Sequence, residues 1–209
     1  MGAIKMKPLV IGLTGGVASG KSTVLKVMQK LGALAIDADV LARRAVDPGT
    51  PGLAEIKKRF GQKVFFNNGR LDRKKLAGLV FGDKKALADI NAIIHPRVFE
   101  HEKKLIAEAG RKARRAVIVV DAPLMIESNS HVWKDAVVVM DCPVEAQIKR
   151  LVTIKGYSRR EALARIGAQM PLDEKLRHAD YVIKNRGSVA KLRKTAAEVF
   201  KKILADFQK

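Results

Sequence analysis

At 209 residues, with 47% hydrophobic and 30% charged residues, the chain suits one soluble globular domain with a substantial core. No apolar run approaches the roughly 18 residues of a membrane span. The start has no signal-peptide stretch, Met6 stands where myristoylation needs Ser or Thr, and a lone cysteine, Cys142, excludes an internal disulfide, so the cytoplasm is expected. Forty-one Lys and Arg against 21 Asp and Glu leave a net charge of +20, which favours polyanionic partners: nucleic acid, a substrate with several phosphates, or no partner and a solubilising surface.

Leu9 to Thr23, LVIGLTGGVASGKST, is the stretch that organises the chain. Val10 to Leu13 reads as a buried strand, and Val24, Leu25, Val27, Met28 and Leu31 mark a helix face. Between them Gly15, Gly20, Lys21 and Ser22 satisfy G-x-x-x-x-G-K-[ST]. Glycines let backbone N–H groups turn toward a phosphate, and a helix starting near Lys21 adds unpaired donors and its positive dipole end. Gly15, Gly16, Val17, Ala18, Ser19, Gly20, Lys21, Ser22 and Thr23 are the expected nucleoside-triphosphate-binding residues, with Lys21 on the β and γ phosphates and the Ser22 hydroxyl beside Mg²⁺. The alternative, a glycine-rich turn that binds nothing, does not account for the strand and helix on either side.

Ala33 to Ile36 is a short apolar run delivering Asp37 and Asp39, followed by a helix over Val40 to Val46. Both aspartates qualify as a base near the phosphate edge of an open sheet, and both equally qualify as strand-end or helix-cap carboxylates. The breakers from Asp47 to Gly52 open a helical stretch: Leu53 to Phe60, Arg73 to Phe81, Lys84 to Ile94 and Arg97 to Lys112, with Asn67-Asn68-Gly69 a turn and Val64 to Phe66 a brief extended piece. His95, ahead of Pro96 at a helix start, is a cap, a packed imidazole or a substrate ligand. Ala116 to Val120 is the strongest strand. It ends at Asp121, either a metal-side carboxylate or a turn former. Ala136 to Met140 and Tyr181 to Ile183 complete the strands, and their alternation with helices predicts a parallel sheet covered on both faces.

Val144 to Lys155 and Ser158 to Gln169 read as basic helices, Ser158 and Glu161 forming a capping box. Pro171 interrupts, Leu172 to Ala179 resumes, and Ser188 to Phe207 closes the chain as an amphipathic helix. Arg150, Arg159, Arg160, Arg165 and Arg177 offer a clamp for developing phosphate charge, and about two of these five are expected to touch phosphate, the rest being solvated. Cys142 and Trp133 read as structural. The guanine-selecting N-K-x-D is missing and the chain is short for a motor, so a small kinase is favoured over a GTPase or helicase.

In order, LTGGVASGKST, IDAD (Ile36 to Asp39), IIHPRV (Ile93 to Val98), DAPLMIES (Asp121 to Ser128), QIKRL (Gln147 to Leu151), RIGAQMPLDEK (Arg165 to Lys175) and ADYVIKNRGS (Ala179 to Ser188) closely resemble the dephospho-CoA kinase family. The resemblance implies an α/β, three-layer P-loop kinase fold with a parallel β-sheet, a helical acceptor-binding insertion at about 50–115 and a helical lid at about 145–178. Residues 7–209 would form this single domain, and 1–6 a flexible extension. It implies phosphorylation of the ribose 3′-hydroxyl of dephospho-CoA with ATP and Mg²⁺. Carried over by position, Asp39 is the catalytic base and a substrate contact, and Lys21 the phosphate-binding lysine. His95, Arg150 and Arg165 are substrate-side, and Ser22 and Asp121 metal-side. The expected partner is the small molecule alone, without nucleic acid or membrane, for a monomer or weak homo-oligomer. One position departs from the pattern. Where related sequences read Arg-Asp-Gly or Arg-Asn-Gly, this chain reads Ile154-Lys155-Gly156, and a lysine at 155 lacks the planar fork of guanidinium. The alternatives are a P-loop kinase for another nucleoside or small alcohol, and a basic nucleic-acid-binding protein with a regulatory nucleotide site.

Overall fold

The computed structural model describes residues 7–80, 82–113 and 115–208; the extension expected at residues 1–6 lies outside them. In chain order the elements are β1 (Leu9–Gly15), α1 (Lys21–Lys30), β2 (Leu34–Asp37), α2 (Ala38–Arg44), α3 (Pro51–Phe60), a 3-10 turn (Gln62–Val64), α4 (Arg73–Val80) and α5 (Lys84–Lys112). There follow β3 (Val117–Asp121), a second 3-10 turn (Ser130–Trp133), β4 (Ala136–Asp141), α6 (Val144–Lys155), α7 (Arg159–Gly167), α8 (Leu172–Leu176), β5 (Tyr181–Lys184) and α9 (Val189–Asp206). The chain divides into two compact units, one up to Ile36 and again from Ile106, the other Asp37–Leu105.

In the first unit the strands lie in the order β2-β3-β1-β4-β5. The pairings of β1 with β3, β1 with β4 and β4 with β5 are parallel, as the β-branched runs separated by helices predict. Side chains alternate across the sheet, so consecutive residues of β4 serve opposite faces. Val138 and Met140 join Ile11, Leu13 and Ile183 in a core closed by Val24 and Met28 of α1 and Leu192, Ala196, Phe200 and Ile203 of α9. Val137 and Val139 look the other way and pack with Ile126, Met170, Leu172 and Leu176. Helices therefore cover both faces. The chain runs to one side of β1 to make β2 and β3, then to the other to make β4 and β5. That places β1 at the switch point, whose carboxyl end is where such sheets hold ligands.

The second unit has its own core of Ala45, Val46, Ile56, Phe60, Val64, Phe65, Leu76, Ala86, Ile90 and Ile93. Its helices are fixed locally. The Thr50 hydroxyl accepts the Leu53 N–H at 3.3 Å with Pro51 in the first turn of α3, and Asp72 accepts the N–H groups of Lys74 and Lys75 at 3.1 and 3.0 Å ahead of α4.

Three local expectations change. Lys84 to Ile94 and Arg97 to Lys112 form a single helix, α5, that runs through Pro96. Proline removes one N–H from the ladder, and the Arg97 guanidinium adds a bond to the Ile93 carbonyl beside it. The piece expected to be extended at Val64 to Phe66 keeps only an antiparallel bridge between Phe65 and Leu71, after a 3-10 turn. The helix expected to reach Ala179 ends at Leu176.

Candidate active site

β1 ends at Gly15, and the chain turns into α1 through six residues whose backbone is unusual. Gly15 and Gly20 have φ of 144° and 98°, and Ala18, a residue with a Cβ, sits at 56°. A Cβ on Gly15 would lie 2.6 Å from the Met140 Cβ, so only glycine lets β1 pass β4 here. Gly16 is equally tight, its missing Cβ being 2.6 Å from the buried Gln147 Oε1. Inside the loop the Ser19 N–H donates to the Gly16 carbonyl at 3.2 Å.

The loop is also gripped from outside by three side chains. The Val17 N–H donates to Gln169 Oε1 at 2.7 Å, Arg150 Nη1 donates to the Ala18 carbonyl at 2.9 Å, and Asn185 Nδ2 donates to the Ser19 carbonyl at 2.8 Å. Three consecutive residues are thus held by the segment after α7, by α6 and by the exit of β5. Left-handed Ala18 is a strained conformation that persists only when its surroundings over-determine it. Val17 and Ala18 pack against Ile148, Leu151 and Ala162, so α6 and α7 seat directly on the loop.

The receiving end of α1 suits a polyanion. Its N-cap is Gly20, with no side-chain cap, and its first turn holds no acidic residue. Lys21, Ser22 and Thr23 begin the helix, Ser22 exposed. The Ser19 hydroxyl is buried with no protein partner among the described residues. These are donors facing a helix N-terminus, the arrangement that stabilises phosphate charge. Asp121 closes β3 in register with Leu13 of β1, and the Thr14 hydroxyl donates to the Pro123 carbonyl at 3.2 Å just beyond. Ser22 and Asp121 are hard oxygen donors, as Mg²⁺ requires. Among the described residues no cluster of three or more His, Cys, Asp or Glu could hold an ion alone. That donor set fits Mg²⁺, which retains waters and takes phosphate oxygens.

Sequence reasoning missed a second anchor. Lys175, 1% exposed, donates from Nζ to the Pro123 carbonyl at 2.8 Å and pairs with Glu127 at 2.8 Å, while Glu127 also accepts the Met170 N–H at 3.0 Å. A charge this deep needs such partners. The Pro123 carbonyl therefore serves both the Thr14 hydroxyl and Lys175. Gln169, Lys175 and Asn185 stand within the motifs that carry the resemblance, but only the tertiary fold shows what each of them holds.

Of the expected arginines, Arg150 lies behind the loop, and its Nη1 also reaches Cys142 Sγ at 3.2 Å. Burial raises the Cys142 pKa, against the lowering effect of Arg150, which keeps the thiol protonated and structural. Arg165 stacks over the Tyr157 ring at 4.1 Å, and Arg159 pairs with Glu145 at 3.1 Å. Ile154 is 71% exposed, and Lys155 beside it is exposed too. The capping box of α7 is present.

In the second unit the two aspartates separate. Asp37 is the N-cap of α2, accepting the Val40 N–H at 3.0 Å, whereas Asp39 lies in the first turn of α2 and is exposed. His95 is inside α5, exposed and no helix cap, and partial desolvation lowers its pKa below the ordinary histidine value.

A sequence profile described as Dephospho-CoA kinase matches residues 9–191. A dephospho-CoA kinase from Thermobifida fusca is 43% identical over 195 residues, spanning 93% of this chain and 96% of that protein. Among solved structures, TT1252 from Thermus thermophilus superposes with a TM-score of 0.79 at 34% identity, covering 96% of this chain and 98% of that one. A dephospho-CoA kinase from Campylobacter jejuni gives 0.60 at 28% identity, with 94% and 97% covered. With the phosphate loop, the sheet order and these matches in agreement, the chain belongs to the dephospho-CoA kinase family.

Proposed function

We propose that the chain transfers the γ-phosphoryl group of ATP to the ribose 3′-hydroxyl of dephospho-CoA, giving CoA, with Asp39 as the base. Family membership gives the reaction, an ATP-dependent phosphorylation in CoA biosynthesis. The observation that carries the donor side is a loop fixed in left-handed turns at Gly15, Ala18 and Gly20, opening onto an uncapped helix start. Backbone N–H groups at the start of α1 bind the triphosphate, and Lys21 adds a full positive charge to its β and γ phosphates. Mg²⁺, held by the Ser22 hydroxyl and the Asp121 carboxylate, would neutralise phosphate charge. Asp39 takes the proton of the acceptor hydroxyl as the phosphoryl group is transferred, while Asp37 is occupied as the cap of α2. His95 binds the acceptor within the helical insertion, and Arg150 and Arg165 act from the lid side. The protein works in the cytoplasm as a monomer or weak homo-oligomer on this small molecule alone, without nucleic acid or a membrane; no helix among the described residues is long and apolar enough to cross one.

Purified protein with ATP, Mg²⁺ and dephospho-CoA should form CoA, and no product from dephospho-CoA alongside turnover of another alcohol would reject the substrate. Asp39→Asn should lower kcat about a thousandfold, the range of general-base loss, with ATP affinity unchanged. Full activity in that variant removes Asp39 from the mechanism.

A further inference from the structure

We propose that Gln169 is a positioning residue for phosphoryl transfer, holding the Val17 N–H so that lid docking and the shape of the phosphate loop are set together. This rests on the donor-site reading above. Gln169 lies between α7 and α8, and its Oε1 accepts the Val17 N–H at 2.7 Å across 152 residues of sequence. The next residue is fixed as well, the Met170 N–H donating to Glu127, and Lys175 then pairs with that same carboxylate. The segment from 169 to 175 is therefore pinned at one end to the loop and at the other to the exit of β3.

Packing ties the same parts together. Val17 and Ala18 lie against Ile148, Leu151 and Ala162 of the lid helices, with Ile166 of α7 alongside. Moving α7 off the loop would thus withdraw the Gln169 carboxamide together with the cover from Ala162 and Ile166. Without the carboxamide the Val17 N–H loses its partner, and neighbouring Ala18 loses support for its left-handed φ of 56°. Arg150 and Asn185 hold the next two residues through carbonyl oxygens, whereas Gln169 is the one of the three that holds an N–H. In a loop whose work is to aim N–H groups at phosphate, the orientation of that peptide matters most. The side chain touches backbone in this arrangement, so its effect on the reaction passes through the loop.

Two substitutions test this. Gln169→Met keeps the volume and removes the acceptor. It should weaken ATP binding, read by calorimetry, by about tenfold, the scale of one lost hydrogen bond to a half-buried amide. It should raise the KM for ATP in parallel, leave the KM for dephospho-CoA unchanged, and speed hydrogen exchange at the Val17 amide. Gln169→Glu keeps an acceptor. It should retain Val17 protection and melting temperature, yet bind ATP more weakly than wild type through its added negative charge, with the deficit shrinking as pH falls and the carboxylate protonates. Wild-type ATP affinity in Gln169→Met, or a pH-independent deficit in Gln169→Glu, overturns the proposal. Because ATP binding and Val17 exchange are read without an acceptor, failure of the dephospho-CoA assay alone would strike the functional reading and leave this one standing.

Discussion

The phosphate loop and the Asp37–Leu105 unit are held by contacts of opposite range. Among the described residues, the three side chains that hydrogen-bond Val17, Ala18 and Ser19 each come from more than 130 residues away: Gln169, Arg150 and Asn185. In the other unit the ties are short. Thr50 caps its own helix, Arg59 pairs with Asp89, and Arg97 pairs with Glu55 at 2.6 Å. The difference teaches that the shape of the loop depends on side chains spread through the first unit rather than on its own sequence neighbours. The helical unit carries its own core.

The largest expected effect attacks the long-range side. Gly15→Ala would push a methyl into Met140 and oppose a φ of 144°. Over-packing of up to about 3 kcal/mol corresponds to a loss of about a hundredfold in ATP affinity if it falls on the loop. Calorimetric titration with ATP checks it, and near-normal affinity would mean that the loop is less constrained than its contacts imply. The short-range side is broken by Ile56→Ala, which deletes a side chain with no exposed surface at the centre of the second core. It should cost about 3 kcal/mol, in the usual range for such truncations. Hydrogen exchange should then quicken across 37–105 while ATP binding stays at wild-type strength; loss of both together would show that the two regions do not fail separately.

The smallest effect is a pH dependence at the far end of the sheet. The Tyr181 hydroxyl donates to Asp206 at 2.7 Å, tying β5 to the end of α9, and this bond, with burial and nearby carboxylate charge, pushes its pKa up to about 12. The ordinary tyrosine value is about 10. Since the folded value is the higher one, the contribution is fully present below about pH 10 and disappears as pH rises through about 12. Denaturant titrations across that window should show the decline in wild type, and Tyr181→Phe should lack this share of it.

Much of this was readable from the chain because the signals were local. Each strand is a β-branched or apolar run ending at a turn or a carboxylate, and the glycine spacing placed Lys21 and Ser22 without tertiary information. The capping box at Ser158 and Glu161 was equally plain, since both partners lie within one turn. Asp37 and Asp39 could not be told apart, because a cap is decided by one side chain's rotation onto Val40. The break expected at Pro96 did not occur: α5 runs through it, losing a single N–H, with the Arg97 guanidinium bonded to the Ile93 carbonyl. Lys175 was invisible for a related reason. In sequence it is one lysine among many, and only the Glu127 carboxylate and the Pro123 carbonyl make a buried site for it.

The left-handed Ala18 has one more consequence. A short peptide carrying LTGGVASGKST would leave that unfavourable turn, because nothing in eleven residues replaces Arg150, Gln169 and Asn185. The motif is therefore not portable. Grafted onto another strand and helix it would keep its spelling and lose its grip, and a transplant would have to carry three distant polar side chains with it.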